Sequence, residues 1–233
     1  STFDWLVIMA IIPAVLSVLL LAFFVREARS CSTGVIGADG GPVRRGFDVR
    51  FKVFLAVMAL FTLGNSTTAF LVLRADNIGI SPFYILLLLA MFNLVYALIS
   101  YPMGRLSDRL GRKRILVAGW GLYALTYIGF ALADTWWHVM LLFGLYGVYY
   151  GMTDGVTKAF VADIVPQERR GTAYGLYHGV VGLLLFPASA IAGYLWSLTP
   201  ADPVWPFVFG AAMAGLAMAG MAFFVKELRI QAK

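Results

Sequence analysis

Long apolar runs, broken by short polar clusters, dominate this chain of 233 residues. Seven runs approach the roughly 20 apolar residues that a helix needs to cross a bilayer. They fall at about 5–25, 52–73, 82–103, 115–133, 137–160, 172–196 and 206–225. Sustained period-2 alternation is absent, which argues against a membrane β-barrel. Helices are the other way to satisfy every backbone polar group in lipid. The breaks at 76–82, 133–135, 165–171 and 197–206 carry the Pro, Gly, Asp and Ser of turns, and 31–48 is the one long polar stretch. The pattern predicts an all-α integral membrane bundle with seven spans.

Composition sharpens that reading. The chain is 61% hydrophobic and 13% charged, against about 25% charged residues in a soluble domain. Its net charge of +6 is unevenly placed. Arg26, Arg29, Arg44, Arg45, Arg50 and Lys52 follow the first run; Arg105, Arg109, Arg112, Lys113 and Arg114 follow the third; Lys158, Arg169 and Arg170 close the fifth; Lys226, Arg229 and Lys233 form the tail. Of the 18 Lys and Arg, all but Arg74 thus fall on one side. Insertion topology places such loops, and the C-terminus, in the cytoplasm. The charge is therefore topological, and the expected partner is the lipid bilayer, with no nucleic acid. Cys31 is the single cysteine, so no intrachain disulfide forms, and on a cytoplasmic loop a free thiol is ordinary. His138 and His178 are the two histidines. No Cys/His cluster, phosphate-binding Gly-rich loop or nucleophile elbow is present, so neither an enzyme nor a metal or other cofactor is expected. A first span that enters from outside, without a basic flank or cleavable signal before it, reads as the continuation of earlier spans.

One turn is unusually basic: GRLSDRLGRKRIL, Gly104 to Leu116. It resembles the signature loop of the major facilitator superfamily, Gly-x-Leu-Ala-Asp-Arg-x-Gly-Arg-Lys. Gly104, Leu106, Asp108, Arg109, Gly111, Arg112 and Lys113 match, and Ser107 stands where Ala is usual. ADIVPQERRGTAYGLYHGVVG, Ala162 to Gly182, is similar to the family's penultimate cytoplasmic turn and the helix after it. The resemblance implies two six-helix halves joined by a cytoplasmic linker. Residues 1–25 would be the last helix of an N-terminal half, 26–50 the linker, and 51–233 the six-helix C-terminal half. The signature would then sit between the eighth and ninth helices, whereas the family carries it most often between the second and third. The missing N-terminal half and a small-molecule substrate become expected partners, and the cell (inner) membrane the expected location.

What the resemblance implies about function is secondary active transport of a small solute by alternating access. It also implies that Gly104, Asp108, Arg109, Gly111, Arg112 and Lys113 latch the cytoplasmic side. From the residues alone, Gly104 and Gly111 permit a tight turn, and Asp108 can hold the surrounding cations, so that its loss would leave Arg112 unpaired. A pure topology signal is the competing reading. A homodimeric half-transporter and a non-transporting membrane scaffold stand as alternatives for the whole chain.

Polar residues at membrane depth are costly and mark function. The second run carries Asn65, Ser66, Thr67 and Thr68, and the third carries Asn93. The fifth holds Tyr146, Tyr150, Asp154 and Lys158 at steps of four, hence on one helix face. The resemblance implies that the second and fifth runs line a central cavity. Asp154 is either a carboxylate for a proton or cationic group, or the structural i,i+4 partner of Lys158. Asn65 and Thr68 either contact substrate or bond between helices. His178 is a candidate for proton coupling or a structural residue. Gly175, Gly179 and Gly182 are expected at close helix contacts, and Pro187 at a kink.

Overall fold

The structure is a computed structural model that describes residues 47–225. The first predicted span, most of the linker and the end of the tail, including Lys226, Arg229 and Lys233, lie outside the described residues. Among the described residues seven α-helices follow one another: α1 Val49–Gly64, α2 Ala69–Asn77, α3 Pro82–Leu110, α4 Arg112–Ala131, α5 Trp136–Ile164, α6 Arg170–Leu198 and α7 Trp205–Phe224. A 3₁₀ turn, Gln167–Arg169, precedes α6. Among the described residues five segments are both long and apolar enough to span a bilayer: Val49–Asn77, Pro82–Leu110, Arg112–Ala131, Gln167–Leu198 and Trp205–Phe224. The 29-residue α5 has the length, but its Tyr, Thr, Asp154 and Lys158 hold it below that apolarity. It packs between α3 and α4, while α7 packs on α4 and α1, and α6 on α1. The polar helix is thus shielded by its neighbours.

Two boundaries differ from the sequence reading. The second run is two helices, because the chain leaves helical geometry at Asn65 and resumes it at Ala69. Three hydroxyl- or amide-bearing residues that compete for backbone hydrogen bonds sit together there, at Asn65, Ser66 and Thr67. The third run extends through the signature sequence to Leu110. The turn is the single residue Gly111, at φ +96°, a left-handed conformation open to glycine and strained for other residues. Gly104 therefore lies inside a helix and takes no part in the turn; a Cβ there would meet nothing within 4 Å.

The core is aromatic. Trp120, Tyr123, Tyr127 and Phe130 of α4 are fully buried against Phe143 and Tyr146 of α5 and Phe207 of α7. Rings of Tyr123 and Tyr127 stack at 4.1 Å, and Phe61 of α1 stacks on Trp120 at 4.9 Å. Leu94, Leu98, Leu125, Leu183, Phe186 and Phe223 are exposed, which suits a lipid-facing surface.

Close helix contact runs through other glycines than expected. A Cβ at Gly147 would lie 2.8 Å from the Phe92 carbonyl oxygen, and one at Gly151 would lie 2.8 Å from Ile99 Cβ. Gly64 and Gly210 meet across α1 and α7. By contrast, a Cβ at Gly175, Gly179 or Gly182 would meet nothing within 4 Å among the described residues. Pro187 sits within α6 without ending it.

Arg74, seen in the sequence only as the exception to the charge rule, is a staple. It is 4% exposed. Its Nε donates to the Phe130 carbonyl at 3.2 Å and Nη2 to the Ala133 carbonyl at 2.8 Å. Nη1 donates to Asn77 Oδ1 at 3.2 Å and pairs with Asp202 Oδ1 at 2.8 Å. One guanidinium thereby ties α2 to the end of α4 and to the α6–α7 loop, matching its fixed fork to several acceptors at once.

Candidate functional site

The helix break and the polar face of α5 come together. The Thr68 side chain lies beside the hydroxyls of Tyr146 and Tyr150, and Ser66 beside that of Tyr127. Even so, Tyr127 Oη and Tyr146 Oη are buried without a hydrogen-bond partner among the described residues. Phe92 of α3 stacks on Tyr146 at 5.4 Å and meets Tyr150 edge-on at 5.4 Å. The result is an aromatic wall with hydroxyls, facing a stretch of chain that lacks regular backbone bonding.

Below that wall Asp154 is 37% exposed and pairs with Lys158, its Oδ1 lying 3.0 Å from Nζ. The expected i,i+4 pair is formed. Asp154 also has a partner that the sequence did not suggest: Tyr96 of α3 donates its hydroxyl to Oδ2 at 2.9 Å. Its one signal was a polar tip in an apolar run, and interfacial tyrosines give the same signal. The Lys158 carbonyl in turn accepts from Tyr174 Oη of α6 at 2.8 Å. A carboxylate held by one cation and one phenol, on a half-exposed face, can exchange either partner for a proton or a cationic group.

The remaining site residues are placed as follows. Asn65 is the residue after α1 and is half-buried. Asn93 is exposed, with Nδ2 donating to the Leu89 carbonyl of its own helix at 2.8 Å. His178 is exposed on α6, its ring 4.9 Å from that of Tyr177, and it is not part of the Asp154 group.

At the basic end, Arg112 rather than Asp108 is the hub. Arg112 pairs with Asp108 at 3.2 Å and with Asp163 of α5 at 2.7 Å, and it donates to the Ala159 carbonyl. Loss of Asp108 therefore leaves Arg112 paired, contrary to the expectation from the loop alone. Asp163 was missed because it lies in the other half of the hairpin, 51 positions from Arg112 in sequence. Arg170 Nε donates to the Ala162 carbonyl at 3.1 Å, so two cations serve the carbonyl end of α5. Lys113 Nζ does the same at the end of α7, donating to the Ala222 carbonyl at 2.8 Å. Arg109 is exposed at the last turn of α3.

These contacts rank the substitutions. Asp108, 64% exposed and an i,i+4 partner, is expected to contribute under about 0.5 kcal/mol. Arg112→Gln removes both ion pairs and a carbonyl donor, and is expected to cost about 1–3 kcal/mol. Thermal unfolding in detergent of Asp108→Asn, Asp163→Asn and Arg112→Gln checks the order, with Arg112→Gln the least stable.

Comparison with known sequences agrees with this architecture. The Major Facilitator Superfamily model matches residues 53–232. An uncharacterized MFS-type transporter of Methanocaldococcus jannaschii is 34% identical over 219 residues, covering 91% of this chain and 54% of that protein. The class E tetracycline resistance protein of Escherichia coli is 31% identical over 153 residues, covering 66% of this chain and 35% of the relative. The quinolone resistance protein NorA of Staphylococcus aureus is 26% identical over 173 residues, covering 73% and 42%. The chain spans about half the length, or less, of these relatives. With an all-helical bundle, membrane-length apolar helices and a family match over most of its length, the chain belongs to the Major Facilitator Superfamily.

Proposed function

We propose that the chain is the C-terminal half of a secondary active transporter that moves a small solute by alternating access. The basic turns face the cytoplasm, residues 1–25 supply the last helix of the preceding half, and 26–50 form the linker. The observation that carries this reading is Asp154, a carboxylate shared by Lys158 and Tyr96 on a half-exposed helix face just below the break at Asn65–Thr68. Asn65, Thr68 and Tyr150 line the path above it, with Tyr146 buried behind them, and exchange at Asp154 couples solute to a proton or cation. The names of the tetracycline and quinolone resistance proteins support a small organic solute.

The test is transport by the intact protein in liposomes, with and without a pH gradient. Asp154→Asn is expected to remove most gradient-driven transport while insertion persists. Exchanging the pair, Asp154→Lys with Lys158→Asp, keeps an ion pair but moves the carboxylate by about 6 Å along the helix, and is expected to leave transport abolished. Recovery of transport in the exchanged protein would reduce Asp154 to a structural partner of Lys158.

A further inference from the structure

At the end of the bundle opposite Arg112, a cavity of about 940 Å³ opens between the α2–α3 loop, the first turns of α3, and the α4–α5 loop. That volume lies at the upper end of the range of small-molecule pockets. Its walls are apolar and aromatic, formed by Tyr84, Leu87, Leu88, Met91, Trp136 and Met140. Three polar residues are among its lining: Ser81, Asp134 and Thr135. Ser81 and Thr135 stand at the N-cap positions of α3 and α5, yet neither side chain bonds to its helix. Asp134 Oδ1 lies 2.8 Å from His138 Nδ1, and its Oδ2 has no partner among the described residues.

The charge balance of this end selects the occupant. Its described acids are Asp76, Asp134 and Asp202. Its one Lys or Arg among the described residues is Arg74, which is buried and turned to Asp202. Among the described residues no Lys or Arg lines the cavity. Phe83, Tyr84, Trp136 and Trp137 are exposed around the same rim, the arrangement of an aromatic belt at the membrane–water interface. An apolar chamber at that depth, with one free carboxylate oxygen and two uncommitted hydroxyls, fits an amphiphile whose head is a primary ammonium. We infer that this cavity binds an aminophospholipid of the adjoining leaflet, its ammonium donating to Asp134 and the Ser81 and Thr135 hydroxyls and its tail lying against Leu87, Leu88 and Met91. The leaflet is the outer one on the orientation proposed above; the binding itself stands apart from any role of Asp154.

A trimethylammonium head carries charge but no N–H to donate, so hydrogen bonding to the carboxylate predicts discrimination between two otherwise similar lipids. The intact protein, purified in detergent, would be titrated with dioleoylphosphatidylethanolamine, dioleoylphosphatidylcholine and dioleoylphosphatidylglycerol, and bound lipid counted by native mass spectrometry. We expect one phosphatidylethanolamine held about tenfold more tightly than either other lipid, which is the worth of roughly 1.4 kcal/mol. Asp134→Asn, at a side chain 78% exposed, is expected to fold normally and to abolish the preference. Met91→Trp, which fills the chamber, is expected to remove the bound lipid itself. Equal retention of the three lipids, or a preference unchanged in both variants, overturns the inference and marks the cavity as closed by another part of the protein or filled without selection. Unchanged affinity in Met91→Trp alone places the preferred lipid elsewhere, and equally overturns it.

Discussion

Arg74→Met lowers the stability of the folded protein by about 2–5 kcal/mol, the expected cost of stripping buried acceptors of their donor and an ion pair of one member. The reason lies in what is left behind. Methionine fills most of the space of the arginine stem, so packing changes little. The carbonyls of Phe130 and Ala133, however, lose their donors at the end of α4. Asp202, 69% exposed, is rehydrated at little expense. Asp202→Asn should accordingly cost under about 1 kcal/mol, and Arg74→Lys should fall between the two, because one ammonium cannot span the acceptors that the fork reaches. Thermal unfolding in detergent, followed by loss of the monodisperse peak on size exclusion, separates the three variants. Equal stability of Arg74→Met and Asp202→Asn would show that the two carbonyls find other donors, and would remove the staple from the account.

Gly151→Leu is expected to be worse tolerated still in functional terms. A Cβ at that position would already lie 2.8 Å from both Cβ and Cγ2 of Ile99, and 3.1 Å from the backbone nitrogen of Ser100. The obstacle includes main chain, so no rotamer relieves it, and α3 must move away from α5. Overpacking of this kind costs about 1–3 kcal/mol and can exceed it. The same displacement carries Tyr96 away from Asp154, whose hydrogen bond of 2.9 Å spans that helix pair. Expression should fall, and the protein that remains should show weakened transport even after correction for amount. Gly155→Leu, four residues on, serves as control, since a Cβ there meets nothing within 4 Å. Similar losses in both variants would mean that the leucine acts through helix insertion and not through the α3–α5 contact.

Periodic and compositional signals carried most of the fold. Runs of about 20 apolar residues mark membrane helices because lipid enforces that length, and six of the seven predicted spans overlap described helices. Helix interruptions were harder to read. The break at Asn65–Thr68 looks from the sequence like four polar residues within a span, and only tertiary contact decides whether such residues bend the backbone or bond to it. Of the candidate site, the local pair Asp154–Lys158 was legible because it depends on a spacing of four. Tyr96 and Asp163 were not, since each meets its partner across a helix interface between segments distant in sequence. The glycine contacts between α3 and α5 and between α1 and α7 were illegible for the same reason. Gly175, Gly179 and Gly182 have the spacing of a packing stripe, yet spacing says which residues share a face and not whether another helix lies against it.

The Gly64–Gly210 crossing restricts how this sequence can drift. A Cβ at Gly210 would stand 2.8 Å from the Gly64 carbonyl oxygen, and one at Gly64 would stand 3.0 Å from the Gly210 carbonyl oxygen. Each position is bounded by the other's main chain, and the Gly64 carbonyl is also fixed by the Tyr123 hydroxyl at 3.0 Å. When a side chain crowds a side chain, a smaller neighbour restores the fit; when it crowds a backbone atom, nothing smaller is available. Alanine at either position therefore has no compensating partner at the other, and the two sites are locked independently. A random-mutagenesis library selected for folding should hold glycine at both, and no substitution at the opposing glycine should rescue alanine at either.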